Sequence, residues 1–142
     1  MPPWRETACE LLPELREKIS DPEIDTPYSL WSELHYAFTR AYDASPRDES
    51  LIGRIYRYAD WCASAPRGEG ASDDLLTCVC VCFYEHISEH PAAREDMPRW
   101  IPYDEFIASE QIFGYHLAHD DFVALKEHLY VHRHDFVPRP TI

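Results

Sequence analysis

The sequence predicts an all-α protein: a compact single-domain bundle of about six or seven helices around a buried central helix at residues 72–90. Two observations carry this prediction. Apolar residues recur every three or four positions in several segments, which is the pattern of a helix with one buried face. Most of the 12 prolines stand between these segments, where helices begin and end.

Three helices are predicted in the first half of the chain. The first covers about residues 4–19, and Pro13 should kink or restart it because proline lacks a backbone N–H. The second begins near Pro27 after an acidic turn, and the third follows a turn at residues 45–48. Their apolar rows are Leu11, Leu12, Leu15 and Ile19; Leu30, Leu34, Ala37 and Ala41; and Leu51, Ile55, Tyr58 and Cys62.

The central segment, residues 72–90, is apolar on nearly all sides over most of its length. Ser72 is its predicted N-cap, and Asp73 and Asp74 suit the positive end of a helix. A length of about 18 residues exceeds that of an ordinary strand, and no other stretch offers a strand to pair with. The sequence therefore favours a helix.

The second half of the chain is predicted to hold a short helix and turn at residues 91–102, a helix from Tyr103 or Asp104, and a last helix over about residues 120–131. Residues 133–142 are expected to be a loose tail. Because the chain has 142 residues and no interdomain linker, residues 1–142 are expected to form one domain.

The composition predicts a soluble cytoplasmic protein. No run approaches the ~20 apolar residues of a membrane helix, and the N-terminus lacks the basic and apolar regions of a secretory signal. The five cysteines are an odd number, and three of them are crowded into positions 78, 80 and 82. That pattern does not resemble a secreted disulfide framework, so we expect reduced thiols.

The charge is the strongest compositional signal: 26 acidic and 13 basic residues give a formal net charge of −13. Phosphate backbones and anionic membranes would repel such a chain, so neither nucleic acid nor a membrane is an expected partner. A basic protein is the partner that this charge would attract. The alternative is that the acidity only maintains solubility.

Acidic residues cluster at predicted turns and helix starts, where helix capping accounts for many of them. Their excess over nearby basic residues leaves room for a binding face, with aromatic side chains as anchors. The candidate binding residues are Asp21, Glu23, Asp25, Trp61, Asp73 and Asp74.

Two histidine pairs indicate an alternative, a metal site. His86, Glu89 and His90 match H-x-x-E-H, the inverted zinc-protease pattern, in which both histidines bind the ion. His128 and His132 form a second pair, which could approach the first if the last helix packed against the central one. A partly buried His86, a His90 favoured by the helix dipole and a solvated last helix explain the same residues without a metal. No cofactor is predicted.

The cysteines give a weaker signal. On a helix Cys78 and Cys82 share a face while Cys80 points elsewhere, so we interpret all three as small core residues rather than metal ligands. A Cys–His nucleophile using Cys9 or Cys62 stays open. The sequence contains no nucleophile elbow, phosphate loop or dinucleotide fingerprint.

Three segments resemble a family of small acidic all-helical bacterial proteins of unassigned function. They are Pro27-Tyr-Ser-Leu-Trp, Asp73-Asp-Leu-Leu-Thr through Phe83-Tyr-Glu-His86, and Arg94-Glu-Asp-Met-Pro-Arg-Trp100. The resemblance implies an intracellular bacterial helical domain and carries no catalytic residues. Small acidic bacterial proteins of this kind are often immunity proteins or antitoxins, which neutralise basic toxins, and this analogy of class implies a similar role.

Charge and resemblance together predict a non-enzymatic cytoplasmic protein-binding domain, an immunity-type or antitoxin-like inhibitor of a basic partner. One alternative is a metal-dependent, hydrolase-like enzyme that uses the His/Glu cluster. The other is a structural or oligomeric module without a ligand. The sequence makes no prediction of the oligomeric state.

Overall fold

The computed structural model describes residues 1–141 and confirms the all-α fold class, since it contains helices and no strand over those residues. The α-helices of the described residues are α1 (Pro3–Leu11), α2 (Arg16–Ile19), α3 (Pro27–Asp43), α4 (Glu49–Ser64), α5 (Leu75–Val79), α6 (Pro91–Trp100), α7 (Tyr103–Ala108), α8 (Glu110–Phe113) and α9 (His119–Val131). Short 3-10 segments occur at Pro13–Leu15, Ile87–Glu89 and Arg133–Asp135, and a π-helical segment at Cys80–Tyr84. Several helices are single turns, which is why the count exceeds six or seven.

The contacts group the chain into two units, Met1–Phe83 together with Thr141, and Tyr84–Pro140. The division falls inside the π-helical segment. A single domain over residues 1–142 stays a prediction.

In the first unit, α1 ends at Leu11 and the chain restarts at Pro13, as predicted. Proline has no N–H to continue the helical hydrogen bonding. Arg54 of α4 stabilises this junction, because its guanidinium donates two hydrogen bonds to the carboxylate of Glu14 and one, of 3.1 Å, to the carbonyl of Leu11. The hydrogen bond from Arg54 holds the pKa of Glu14 below its usual value.

Helices α3 and α4 form where the apolar periodicity predicts them. Thr26 and Ser29 make a capping box at the start of α3, and Asp48 caps α4 by accepting a hydrogen bond from the Leu51 N–H. The residues they bury are Pro27, Leu30, Trp31, Leu34, Phe38, Ala41 and Tyr42 of α3, and Leu51, Ile52, Ile55, Tyr56, Tyr58, Ala59 and Cys62 of α4.

Phe83 lies at the centre of the aromatic core of this unit. Trp31 of α3 stacks on it with 5.0 Å between ring centroids. Phe38 of α3 and Tyr56 of α4 meet it edge-on at 5.0 and 5.4 Å. None of the four side chains is more than 1% exposed. Aromatic pairs of this kind add about 0.5–1.5 kcal/mol each beyond the area they bury.

The segment predicted as one buried helix, residues 72–90, is built differently. Its α-helix begins at Leu75, with Asp74 rather than Ser72 as the N-cap, and it gives way to the π-helical segment at Cys80. Asp74 replaces Ser72 as the cap because its carboxylate accepts the Thr77 N–H. Residues 72–90 therefore contain α-helical, π-helical and 3-10 hydrogen bonding, whereas a single α-helix was predicted.

The π-helical turn matches the spacing of the buried residues. Val79, Phe83 and Ile87 are all fully buried, and each lies four residues from the next. In a regular α-helix, eight residues overshoot two full turns by about 80°. The wider π turn reduces that overshoot. Val81 within it is 42% exposed, so the segment is not buried on all sides as predicted.

In the second unit, Pro91 begins α6 instead of only ending the preceding helix, because proline suits the first position of a helix. The core of this unit includes Met97, Phe106, Phe113, Leu125 and Leu129. A Cβ at Gly114 would collide with the ring of Phe122. Glycine at this position therefore permits α9 to pack its aromatic side chain against the end of α8.

Two hydrogen bonds attach the C-terminal segment to α6. The N–H of Val137 donates to the carbonyl of Arg99 at 3.1 Å, and the guanidinium of Arg139 donates to the carbonyl of Trp100. Ile142, the last residue of the predicted tail, lies outside the described residues. No helix within residues 1–141 combines the length and apolar character needed to span a bilayer.

We expect Phe83→Ala to lower the free energy of unfolding by about 3–5 kcal/mol, because it leaves a cavity among three buried aromatic rings. Urea unfolding followed by circular dichroism measures this change. Val81→Ala is the matched control in the same π-helical segment, and we expect it to change the free energy by less than about 1 kcal/mol. An equal loss of unfolding free energy in the two variants would contradict the proposed role of Phe83 in the aromatic core.

Candidate functional site

Asp74, a candidate binding residue, has a structural role in the first unit. It is 3% exposed. Its carboxylate accepts hydrogen bonds from Arg67 Nε at 2.9 Å, from the Gly68 N–H at 2.9 Å and from the Thr77 hydroxyl at 2.6 Å. The hydrogen bonds from Arg67, then Thr77 and Gly68, hold the pKa of Asp74 well below its usual range. The negative charge of Asp74 is therefore neutralised by partners within the first unit.

Asp73 and Trp61 are more accessible, and each has an intramolecular contact. Asp73 is exposed, and its Oδ1 accepts the N–H of Gly70 at 2.8 Å, which closes the loop before α5. Trp61 is half-buried and stacks on Tyr58 with 5.8 Å between ring centroids. One face of the Trp61 ring therefore packs against Tyr58 within the first unit.

The remaining acidic candidates lie on the turn between α2 and α3. Asp21, Glu23 and Asp25 are all exposed there, and Asp21 Oδ1 accepts the N–H of Glu23 at 2.9 Å. Asp21 also lines a groove of about 360 Å³ between α2 and α3. This groove, hereafter the acidic groove, is lined by Glu14, Glu17, Asp21 and Glu33, by Lys18 and Arg40, and by Leu15, Leu34, Tyr36 and Ala37.

Cys9 and Cys62, the two cysteines considered as nucleophiles, are both buried in the first unit. Cys62 is fully buried, and burial raises the pKa of its thiol to about 12. It therefore stays protonated at neutral pH, whereas the thiolate is the reactive form. Cys9 is 2% exposed, and its Sγ lies 3.9 Å from the hydroxyl of Ser20. All five cysteines, each within the described residues, are thiols.

In the second unit the structure brings together Glu85, His86 and His116. One potential ligand atom from each lies within 4.8 Å of the others. His116 Nε2 is 3.3 Å from Glu85 Oε1, and the two imidazole rings stack at 4.6 Å between centroids. His86 Nδ1 lies 2.8 Å from Glu89 Oε1. Two imidazoles and two carboxylates therefore share this site, the histidine cluster.

The other predicted metal ligands have different contacts. His90 caps α6, since its Nδ1 accepts the N–H of Ala93 at 3.3 Å. His128 donates from Nε2 to the carbonyl of Glu95 at 2.7 Å, and His132 Nδ1 lies 3.1 Å from Asp135 Oδ2. The two rings of this second pair are 4.7 Å apart. These contacts give His90 a capping role and place none of the three in the histidine cluster.

Sequence reasoning missed Glu85 and His116 as members of this cluster. His116 follows α8, so the whole of α6, α7 and α8 separates it from His86. The H-x-x-E-H pattern predicted that His86 and His90 share a helical face, but the chain there is a 3-10 segment followed by an extended residue. The adjacent Glu85 and His86 were the only local signal, and a Glu-His pair alone is too common to indicate a site.

No family model matches the chain, and the comparisons with curated proteins and with solved structures found no match. The resemblance to small acidic helical bacterial proteins therefore stays a prediction.

We expect Asp74→Asn to destabilise the protein near neutral pH and to matter much less in acid. The pKa of Asp74 is lowered from 3.8 on folding, so its ionised form favours the folded state. This stabilisation is complete above about pH 5 and is lost as the pH falls through 3.8 towards the lower folded value. Thermal melts of both proteins over a pH series measure the difference in Tm.

Asp25→Asn, which removes an exposed carboxylate from the same unit, controls for the loss of one negative charge. A difference in Tm between wild type and Asp74→Asn that stays constant from neutral to acidic pH would contradict the proposed role of the ionised carboxylate.

Proposed function

We propose that the protein is a non-enzymatic binding domain of the bacterial cytoplasm that recognises a basic protein partner through the acidic groove. An immunity-type or antitoxin-like inhibitor is the class that this binding mode fits. The observation that carries the proposal is the composition of the groove: besides Glu14, which pairs with Arg54, it has three carboxylates against two basic side chains, together with apolar residues.

The floor of the groove suits the stems of lysine and arginine side chains. Leu15 and Ala37, which are half-buried, contribute apolar surface, and Tyr36 is 61% exposed at the same site. Long basic side chains bury their methylene groups against apolar surface while the charged end stays at a polar rim. Tyrosine supplies contact area with a hydroxyl for hydrogen bonding, which is why it is frequent at binding hot spots.

The carboxylates of the groove differ in how they are engaged within the chain. Glu14 accepts two hydrogen bonds from Arg54. Glu33 lies 3.7 Å from Lys18 in a pair whose lysine is 64% exposed. Exposed pairs of this kind contribute about 0–1 kcal/mol, so a basic side chain from a partner could replace Lys18. Glu17 and Asp21 are exposed and provide the remaining negative charge.

The net charge of −13 supports the choice of a basic partner. Opposite charges accelerate diffusional encounter and suppress association with acidic proteins. The turn that follows Asp21 adds Glu23 and Asp25, so the negative potential extends beyond the groove itself. Asp74 is not included in the binding surface because its charge is neutralised by Arg67.

The reduced cysteines support the proposed location in the cytoplasm. Cys9, Cys62 and Cys78 are buried as thiols and no disulfide links them. Thiols in this state are usual in reducing compartments such as the cytosol.

We expect a short lysine- and arginine-rich peptide with spaced leucines to bind the protein with an affinity that falls between about 50 and 500 mM salt. The double variant Glu17→Lys/Asp21→Lys should weaken this binding by about tenfold or more, because it reverses two exposed charges of the groove. Isothermal titration calorimetry measures both the affinity and its salt dependence.

The matched control is Glu69→Lys/Glu127→Lys, which changes the net charge equally at exposed positions outside the groove. We expect it to alter the affinity by less than about twofold in moderate salt, since neither residue lines the groove and salt weakens interactions between exposed charges. Equal weakening by both double variants would contradict the groove as the binding site. A wild-type protein that binds the peptide no better than an acidic peptide of the same length would contradict the basic partner.

A further inference from the structure

We propose that Glu85, His86 and His116 bind a divalent transition metal ion, Zn²⁺ in the first place, and that Glu89 orients His86. All four residues belong to the second unit, whereas the acidic groove belongs to the first. The inference therefore goes beyond the proposed function and does not depend on it.

The distances in the histidine cluster approach those of a metal site. A tetrahedral ion bound at about 2.0–2.1 Å has its ligand atoms about 3.3–3.4 Å from one another. His116 Nε2 and Glu85 Oε1 already lie 3.3 Å apart. One ring nitrogen of His86 and the ligand atoms of Glu85 and His116 lie within 4.8 Å of one another, so a contact through that nitrogen must close by no more than about 1.5 Å.

The side chains can make this adjustment. The side chain of His116 is 36% exposed, and the residue lies in the turn between α8 and α9 rather than within a helix. The His116 ring stacks on His86 at 4.6 Å between centroids, so it must rotate out of this stack before one ion can lie in the planes of both rings. Because His116 is exposed, this rotation requires no repacking of the core. Glu85 is 15% exposed, so it forms the more enclosed wall of the site.

The contact between His86 and Glu89 is the kind of support that metal-bound histidines have. A ligating imidazole usually donates its second N–H to a carboxylate or carbonyl, which sets the tautomer and the direction of the ring. His86 makes this contact through Nδ1, at 2.8 Å from Glu89 Oε1. A metal would then bind His86 through Nε2. Glu89 acts here as a positioning residue, through His86.

The ligand set selects the ion. Two imidazoles and one carboxylate suit Zn²⁺, whereas Mg²⁺ and Ca²⁺ prefer oxygen ligands. Three protein ligands leave one position of a tetrahedral ion for water or another small ligand. The exposure of His116 keeps that position accessible from solvent. The site would therefore bind the ion in an open geometry instead of enclosing it completely.

The proposal is tested with the full chain produced without an affinity tag, titrated with Zn²⁺ in competition with a chromogenic chelator. We expect one ion per chain with a Kd in the micromolar range or tighter. Co²⁺ as a substitute should give the intense visible absorption of a tetrahedral ion. X-ray absorption of the zinc form should fit two imidazoles and oxygen ligands at about 2.0–2.2 Å.

Variants separate a metal site from a network of ion pairs. His116→Ala should weaken Zn²⁺ binding by about 100-fold or more, because it removes a ligand. Glu89→Gln should weaken it by about 10- to 100-fold, as expected for a residue that orients a ligand. His134→Ala, an exposed histidine outside the cluster, is the matched control and should leave the Kd unchanged. Urea midpoints measured without metal establish that each variant folds.

Two results would overturn the proposal. The first is that the wild type and His116→Ala bind Zn²⁺ with the same Kd, both proteins being folded. The second is binding that His134→Ala weakens as much as His116→Ala does, which would indicate adsorption to surface histidines. In either case His116 and Glu85 form an ion pair only.

Discussion

The burial of Phe83 is the constraint on which the first unit depends. Two rings from α3 and one from α4 meet this single side chain, and none of them has more than 1% of its surface exposed. Since rings of this size cannot shift without opening a void, the approach of α3 to α4 is fixed where Phe83 lies between them. The π-helical turn brings Phe83 there from α5, in a backbone conformation that is rare and often found where function or packing requires it.

The acidic residues serve two different purposes, and composition alone does not separate them. Asp48 and Asp74 cap helices, and Glu14 binds Arg54 across the junction after α1. Such carboxylates stabilise the chain and contribute little to a long-range field, because a donor or a cation lies beside each of them. The exposed carboxylates of the α2–α3 region are the ones that the proposed basic partner would contact. A charge of −13 is therefore a better guide to the sign of the partner than to the place where it binds.

The parts of the fold that the sequence predicted are those whose signals are local. Helices α3 and α4 are long and amphipathic, and both have capping residues. The 72–90 segment was predicted less well, because a continuous apolar run has no periodicity from which a π turn could be detected. His90 was expected near the end of a helix, yet it begins one, since Pro91 is compatible with both positions. The pairing of Glu85 with His116 depends on how three intervening helices pack, and no local pattern contains that information.

The enclosure of Cys62 also governs how a damaged molecule would behave. Oxidants and alkylating agents attack thiolates, and a buried thiol with a pKa of about 12 offers almost none while the chain is folded. Unfolding exposes the thiol of Cys62, so chemical modification of this sulfur would identify molecules that had unfolded. A modified sulfur would be too large and too polar to return to its place beside Trp31 and Tyr58. Oxidation as far as the sulfinic or sulfonic acid, which reduction does not reverse, would thus turn a reversible opening into a lasting loss of the native state.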